Sequence, residues 1–344
     1  MPTITVDSLT DLLLDTLPDL DKGKVTNLTS DLQSYTALPQ LLAKDRIKFK
    51  TGKSISVNIM TGGNGQFRFV GFGELDQYND VSVLASGSIP WRRATSNYAY
   101  DLLEDDLNSD NERQILDHIV TKHDACYVDI ANGLETAFWG KPATSADVKT
   151  AWGIDMYIVR NASQGFNGGN PAGFTTGTAF DSTVQTRYAN WTDQYVAVSK
   201  ADLLTRMRLA TRKTNFKSPV ASSQFRNTPV DRAIYTNIDV IQAMDAVLDT
   251  LNDNHGSDLA KFHDQSHFLK LPIVWVPQLD ADTQDPVYGV DWATLVPFFK
   301  QGWHLKQSKP HAVANQHNVV AVDVDMAFNI GCEDRRRQWI INLA

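Results

Sequence analysis

At 344 residues the chain exceeds the usual size of one compact core, so its length predicts two domains, or one domain with long excursions. Hydrophobic residues make up 42% and charged residues 21%, an ordinary globular composition that excludes a fibrous or wholly disordered chain. Two cysteines, Cys126 and Cys332, are too few for a disulfide framework or a cysteine zinc site, and a net charge of −8 argues against tight DNA binding, which depends on neutralising phosphates.

The opening stretch, MPTITVDSLTDLLLDTLPDLDKGK, carries acids where a secretory leader carries bases. No later stretch approaches the roughly 20 apolar residues of a membrane span. These features predict a soluble protein of the cytoplasm, in which the sequons at Asn27, Asn161 and Asn190 arise by chance. Leu9, Leu12, Leu13 and Leu17 fall at helical spacing over residues 8–17. The polar residues that follow, with two prolines among them, read as an arm rather than a core.

In RIKFKTGKSISVNIMTGGNGQFRFVGFGEL the alternation is nearly strict: Ile47 and Phe49, then Ile55, Val57 and Ile59, then Phe67 and Phe69. Glycine turns at Thr51-Gly52 and TGGNG separate the groups, which predicts two or three strands of a β-hairpin. A lone hairpin is marginal in water, so the rest of the chain or another copy must cover it. Its TGKS, residues 51–54, imitates a phosphate-binding loop, but Ile47 stands where that pattern needs glycine and no helix follows.

Ser109 and Glu112 form a capping box, and Ile115, Ile119, Cys126, Ile130, Leu134 and Phe138 recur at helical steps until Gly140 and Pro142 stop the pattern. The helix so predicted is about 45 Å long, a strut with a polar outer face. A strand is expected at DMYIV (155–159), then a loop rich in Gly, Asn and Thr. Ser199 and Asp202 cap a further helix with Leu203, Leu204, Met207 and Ala210 inward; Arg206, Arg208, Arg212 and Lys213 at its end suit the negative pole of the helix dipole. Asn237 opens a third helix, with Ile241, Met244, Val247, Leu248 and Leu251 on one side. Strands follow at PIVWV and along NVVAVDVDMAFNI, whose even positions from Val320 to Ile330 are all apolar. The fold class is α+β, without internal repeats.

Catalytic signatures are weak. His263 and His267, four apart beside Asp264, lack a third metal ligand in pattern and the glutamate of a zinc protease helix. Asp280, Asp282 and Asp285 resemble a fragment of a calcium loop without its glycine and closing glutamate. Asp323 and Asp325 lie on the outer face of a strand, and Cys126 belongs to an apolar stripe where a buried, inert thiol is expected. A metal-dependent hydrolase built on the aspartates or the histidines is the remote alternative. No cofactor is implied.

The stretch GCEDRRRQWIINLA raises a different question. Read as a strand over 335–343, it places Arg335 and Arg337 on the same side as Trp339, Ile341 and Leu343, with Arg336 opposite. Guanidinium groups do not stay buried unpaired, so Arg335 and Arg337 are expected at a rim, reaching carboxylates of a partner subunit.

The order of elements, with LLTRMRLATRKTNFKSP, AIYTNIDVIQAMDAVLDTLNDN, LPIVWVPQLDADTQDPVYGVDWATLVPFF and CEDRRRQWIINL, resembles a tailed-phage major capsid protein, of the Hong Kong phage-type shell fold shared with the herpesvirus capsid floor and encapsulins. The resemblance implies an N-terminal arm (1–40) and an extended β-hairpin loop (41–95). It implies a peripheral domain (96–232) with a spine helix at about 110–139, an axial domain (233–309), and strands returning to the peripheral domain (310–344). It further implies self-assembly into hexamers and pentamers of an icosahedral virion shell, built in the host bacterial cytoplasm. Portal, scaffolding and cement or decoration proteins would be partners, and double-stranded DNA would be enclosed without sequence-specific binding. Inter-subunit contacts are expected at Lys48, Lys50 and Lys53 of the loop and at Arg335, Arg336 and Arg337. Some members weld subunits through a loop lysine, but no partner residue matches here and the cross-link is not carried over. An encapsulin-like nanocompartment shell is the alternative of the same fold.

Overall fold

Why a hairpin forms at Ser54 is plain in its burial: Ile55, Val57 and Ile89 turn one apolar face inward. This description comes from a computed structural model, which describes residues 32–43, 46–62, 65–75, 78, 82–102, 112–175, 178–216, 230–251 and 267–344. The helix expected at 8–17, the Ser109 cap and His263 lie outside those residues.

Strand β1 (Lys48–Lys50) is not part of the hairpin; it pairs in parallel with β11 (Leu295–Lys300). The hairpin consists of β2 (Ser54–Met60) and β3 (Leu84–Pro90), antiparallel with Ile55 opposite Ile89 and Val57 opposite Gly87. Phe67 and Phe69 therefore belong to a long excursion between the strands, not to a strand of their own. Gly87 allows close seating: a Cβ there would come within 2.9 Å of the Phe180 ring. Each of the three buried aliphatic side chains contributes about 1.5–3 kcal/mol, enough to hold the hairpin's base on its own chain.

Two compact units divide the chain. In the first, Thr95–Asn132 is joined with Lys306–Val324; the second comprises Leu32–Ala94, Gly133–Leu305 and Asp325–Ala344. Strand β4 (Arg92–Asp101), helix α2 (Glu112–Trp139) and strand β14 (Val319–Cys332) each have residues in both. At 28 residues α2 is about 42 Å long. Cys126, Leu134 and Phe138 of its expected stripe are buried, and it stops before Gly140.

Of the short strands β12 (Lys306–Gln307) and β13 (His311–Ala312), both beside β14, β13 pairs antiparallel with it in the first unit, where Cys126 Sγ lies 3.4 Å from Ser96 Oγ. In the second unit a seven-stranded sheet runs in the order β5 (Gly165–Gly168), β6 (Asn190–Tyr195), β15 (Trp339–Leu343), β10 (Val287–Asp291), β7 (Arg232–Thr236), β9 (Leu271–Trp275), β8 (His267–Phe268). Alternation along these strands sorts side chains to two faces. Ile234, Val287 and Ile341 join a core with Leu203, Leu204 and Met207 of α4 (Leu203–Lys213) and Val240 and Met244 of α5 (Ile238–Leu251). Their neighbours Tyr235 and Tyr288 turn the other way, onto Trp139 of α2.

Of the two expected caps only Asn237 operates as one; Asp202 stands at the N-cap of α4 without a side-chain capping bond and orders the approach to the helix instead. The Asp202 carboxylate accepts from the Val196 and Ala197 amides, and its own amide donates to Ser199 Oγ, folding the chain into α4. Asn237 Oδ1 accepts from the Val240 amide at 3.1 Å, as an N-cap residue should. The strand expected at 155–159 is instead a helical turn, α3 (Ile154–Tyr157). Gly153 precedes it with so little room that a Cβ would strike the Ala137, Phe138 and Gly140 carbonyls, and Tyr157 donates from its hydroxyl to Ile330 O at 2.7 Å.

Candidate assembly surfaces

The three arginines do not form a strand. Asp334 Oδ1 accepts from the Arg336 amide at 3.1 Å and closes a 3-10 turn over Arg335–Arg337, so strand alternation begins only at Trp339. The turn sends the three side chains to three places.

Arg335 is wholly buried and satisfies its charge with neutral oxygens. Its Nε donates to Tyr157 O at 2.7 Å, Nη1 to Ser182 Oγ and Tyr188 O, and Nη2 to Gly168 O, Gly169 O and Asn190 Oδ1 at 2.8–3.2 Å. Burial pulls its pKa down from the usual guanidinium value. Arg337, also buried, pairs with Asp291 at 2.6 Å. Burial pushes the Asp291 carboxyl up, against the pull of Arg337 and Arg232. Arg232 donates to Thr211 O, Thr214 O and Arg337 O, and burial lowers it to about 10. The expectation that Arg335 and Arg337 reach a partner's carboxylates is thus corrected, because loops far away in sequence supply their oxygens. No local pattern announces Gly168, Gly169 or Asp291 as their partners. Arg336 alone stays partly exposed, paired with Asp334 and stacked 4.6 Å over Phe216.

The three lysines also part company. Lys48 pairs with Glu333 at 3.1 Å, Lys50 donates to Ser56 O at 2.6 Å and lies 4.9 Å over the Phe298 ring, and Lys53 is exposed beside Gly52, whose φ of +104° makes the turn.

Among the described residues, exposed large apolar side chains concentrate on the excursion between β2 and β3. Phe67 is 87% exposed, Phe69 91% and Tyr78 91%, with Met60, Val70, Phe72, Leu75 and Leu84 also exposed. Its only ring pairing among the described residues is internal, Phe67 against Phe69 at 5.4 Å. Where the excursion leaves the body, Met60 and Leu84 line an open groove of about 780 Å³ together with Tyr188, Arg187 and Arg336. Isolated exposed apolar residues are normal, but a contiguous run of aromatics marks an interaction surface.

The catalytic candidates do not converge. Asp280 accepts from Trp275 Nε1 and the Ile238 amide at 3.0 Å, Asp285 from Asn237 Nδ2 at 2.6 Å, and Asp282 pairs with Arg160. Burial alone would raise the Asp282 carboxyl, but the Arg160 guanidinium holds it below the usual range. Asp323 is 3.7 Å from His311, and His267 lies on β8. Among the described residues no three metal-ligating side chains cluster, and no helix is long and apolar enough to cross a membrane. Burial raises the Cys332 thiol to about 12.

No family model matches the chain, and no curated protein matches it. Solved structures do. The capsid of cyanophage A-1(L) aligns over 95% of this chain and 98% of its own with a TM-score of 0.61 at 14% identity. The capsid of cyanophage P-SCSP1u aligns over 96% and 94% with a TM-score of 0.54 at 12% identity, and that of an empty GTA particle over 100% and 99% with 0.54 at 11%. The fold is that of phage capsid subunits. It is the α+β, Hong Kong phage-type architecture that the sequence resemblance implies.

Proposed function

We propose that the chain is the major capsid protein of a tailed bacteriophage, a structural subunit that assembles in the host cytoplasm into an icosahedral head enclosing double-stranded DNA, without turnover or cofactor. The observation that carries this reading is the end-to-end correspondence with capsid subunits; the exposed aromatic excursion agrees with it, since a monomer has no use for such a surface. Residues 1–40 serve as the arm and 41–95 as the extended loop that lies over a neighbour. Residues 96–232 form the peripheral domain with α2 as its spine, 233–309 the axial domain of hexamers and pentamers, and 310–344 return to the periphery. Arg336, Lys48 and Lys50, all partly exposed, and Lys53, exposed, are the members of the two basic groups left for inter-subunit contact. A net charge of −8 gives weak general repulsion from packed DNA, which suits a container. Portal, scaffolding and cement or decoration proteins complete the particle.

Sedimentation velocity of the chain expressed alone, and again with a scaffolding protein, tests this reading. Capsomers or shells in either sample support it. Monomers or dimers in both contradict it. Shells that enclose a protein cargo and never DNA would move the assignment to an encapsulin-like compartment.

A further inference from the structure

Glu135 is wholly buried near the end of α2, and its carboxylate is spent on a short segment a hundred residues upstream. Oε1 accepts from the Thr36 amide at 2.8 Å, Thr36 Oγ1 at 2.9 Å and the Ala37 amide at 2.9 Å, and Oε2 accepts from the Leu38 amide at 2.7 Å. Trp139, one turn on, donates Nε1 to both Glu135 Oε1 and Thr36 Oγ1. These amides are the first-turn donors of α1 (Ala37–Leu41), the groups every helix leaves without internal partners. Thr36, at the N-cap, makes no side-chain capping bond of its own. A five-residue helix does not persist in water by itself, so α1 depends on this distant carboxylate at its positive pole.

The anchor is firm at its other end. Trp139 packs on Tyr235 at 5.3 Å and Tyr288 at 5.9 Å, from β7 and β10, so the clasp is tied to the middle of the seven-stranded sheet. Ala37 and Leu41 are fully buried beneath it. Ser34 Oγ to Trp275 O at 3.4 Å and the Arg46–Asp231 pair hold the segment at either side. Four hydrogen bonds from one segment converge on one side chain, and hydrogen bonds to a charged acceptor are the strong ones.

We propose that Glu135 is the positioning residue of a clasp that fixes residues 36–41 to the seven-stranded sheet, and that assembly with neighbouring copies depends on that fixing. The second half of this statement rests on the shell reading; the first does not. Deuterium uptake of the full-length chain before assembly is the test, comparing wild type with Glu135→Ala and Glu135→Gln. In Glu135→Ala the amides of Thr36, Ala37 and Leu38 exchange about 10- to 100-fold faster, the factor expected when each loses one hydrogen bond to a charged acceptor, while Ile340 and Ile341 keep their protection. Glu135→Gln, which keeps one acceptor oxygen, falls between and serves if the alanine variant does not fold. Unchanged exchange at 36–38, or equal acceleration at 340–341, overturns the clasp. If the clasp holds and Glu135→Gln or Glu135→Ala still yields shells in wild-type amount, the positioning role is overturned. A wild type that never assembles would count against the shell reading and leave the exchange result standing.

Discussion

Arg337 Nε stands 2.6 Å from Asp291 Oδ2 where the two side chains are 7% and 0% exposed. Asp291 also accepts from the Asp231 and Ala293 amides, so the carboxylate is embedded in backbone on one side and guanidinium on the other. Removing one partner leaves a buried, uncompensated charge. Arg337→Ala should cost about 3–5 kcal/mol of stability in urea unfolding, and Arg337→Met with Asp291→Leu much less than Asp291→Leu alone. A loss under about 1 kcal/mol for Arg337→Ala would show that the pair does not hold the fold.

Arg335 and Arg336 are adjacent in sequence and opposite in consequence. Arg335→Glu places a buried anion among six carbonyl, amide and hydroxyl oxygens, and the chain should fail to fold rather than merely fail to assemble. Arg336→Ala removes a part-exposed pair with Asp334 and should change stability by no more than about 1 kcal/mol. Circular dichroism melts of the two variants compare them directly, and equal melting temperatures would refute the contrast.

Two glycines give opposite signs. A Cβ at Gly289 would run into the Trp339 indole across the β10–β15 pair, so Gly289→Ala should destabilise by about 1–3 kcal/mol. Gly133 lies in α2 with nothing within 4 Å of a Cβ, and Gly133→Ala should stabilise by about 0.5–1 kcal/mol through helix propensity. Thermal melts that moved in the same direction would contradict this account.

Acid should weaken the fold through specific carboxylates. Asp202 is held low by Arg206 and two amides despite burial, and Asp282 by Arg160 despite burial. A carboxylate with a depressed folded pKa contributes stability above its unfolded value of about 3.9, and loses it as pH falls through the folded value. Melting temperature should therefore fall below about pH 4, and less steeply in Arg160→Met, which no longer depresses Asp282. An identical slope in that variant would remove Asp282 from the explanation.

Much of this architecture is legible in the residues. Asp202 and Asn237 announce α4 and α5, the stripe through Cys126, Leu134 and Phe138 announces α2, and the apolar even positions from Val320 to Ile330 announce β14. What escapes is whatever depends on partners distant in sequence. The second hairpin strand, LASGSIP, has too little apolar alternation to outbid Phe67 and Phe69 as the partner of β2. DMYIV is rich in strand-forming residues, yet Gly153 and the buried Tyr157 turn it into a helical turn. A run of three arginines reads as a charged rim because its neutral cage is assembled from residues 157, 168, 169, 182, 188 and 190, and nothing local marks those oxygens as a cation's ligands.

The excursion offers the most direct access to the central claim. Cryo-electron microscopy of particles from the wild type and from a Phe67→Ser, Phe69→Ser, Phe72→Ser variant would show where these side chains go. The account predicts closed icosahedral shells in which the excursion lies against a neighbouring copy, and a variant that melts like wild type yet assembles at least about tenfold less, the loss expected when buried interface aromatics are truncated. Wild-type shells with the excursion facing solvent, or a variant that assembles normally, would contradict it.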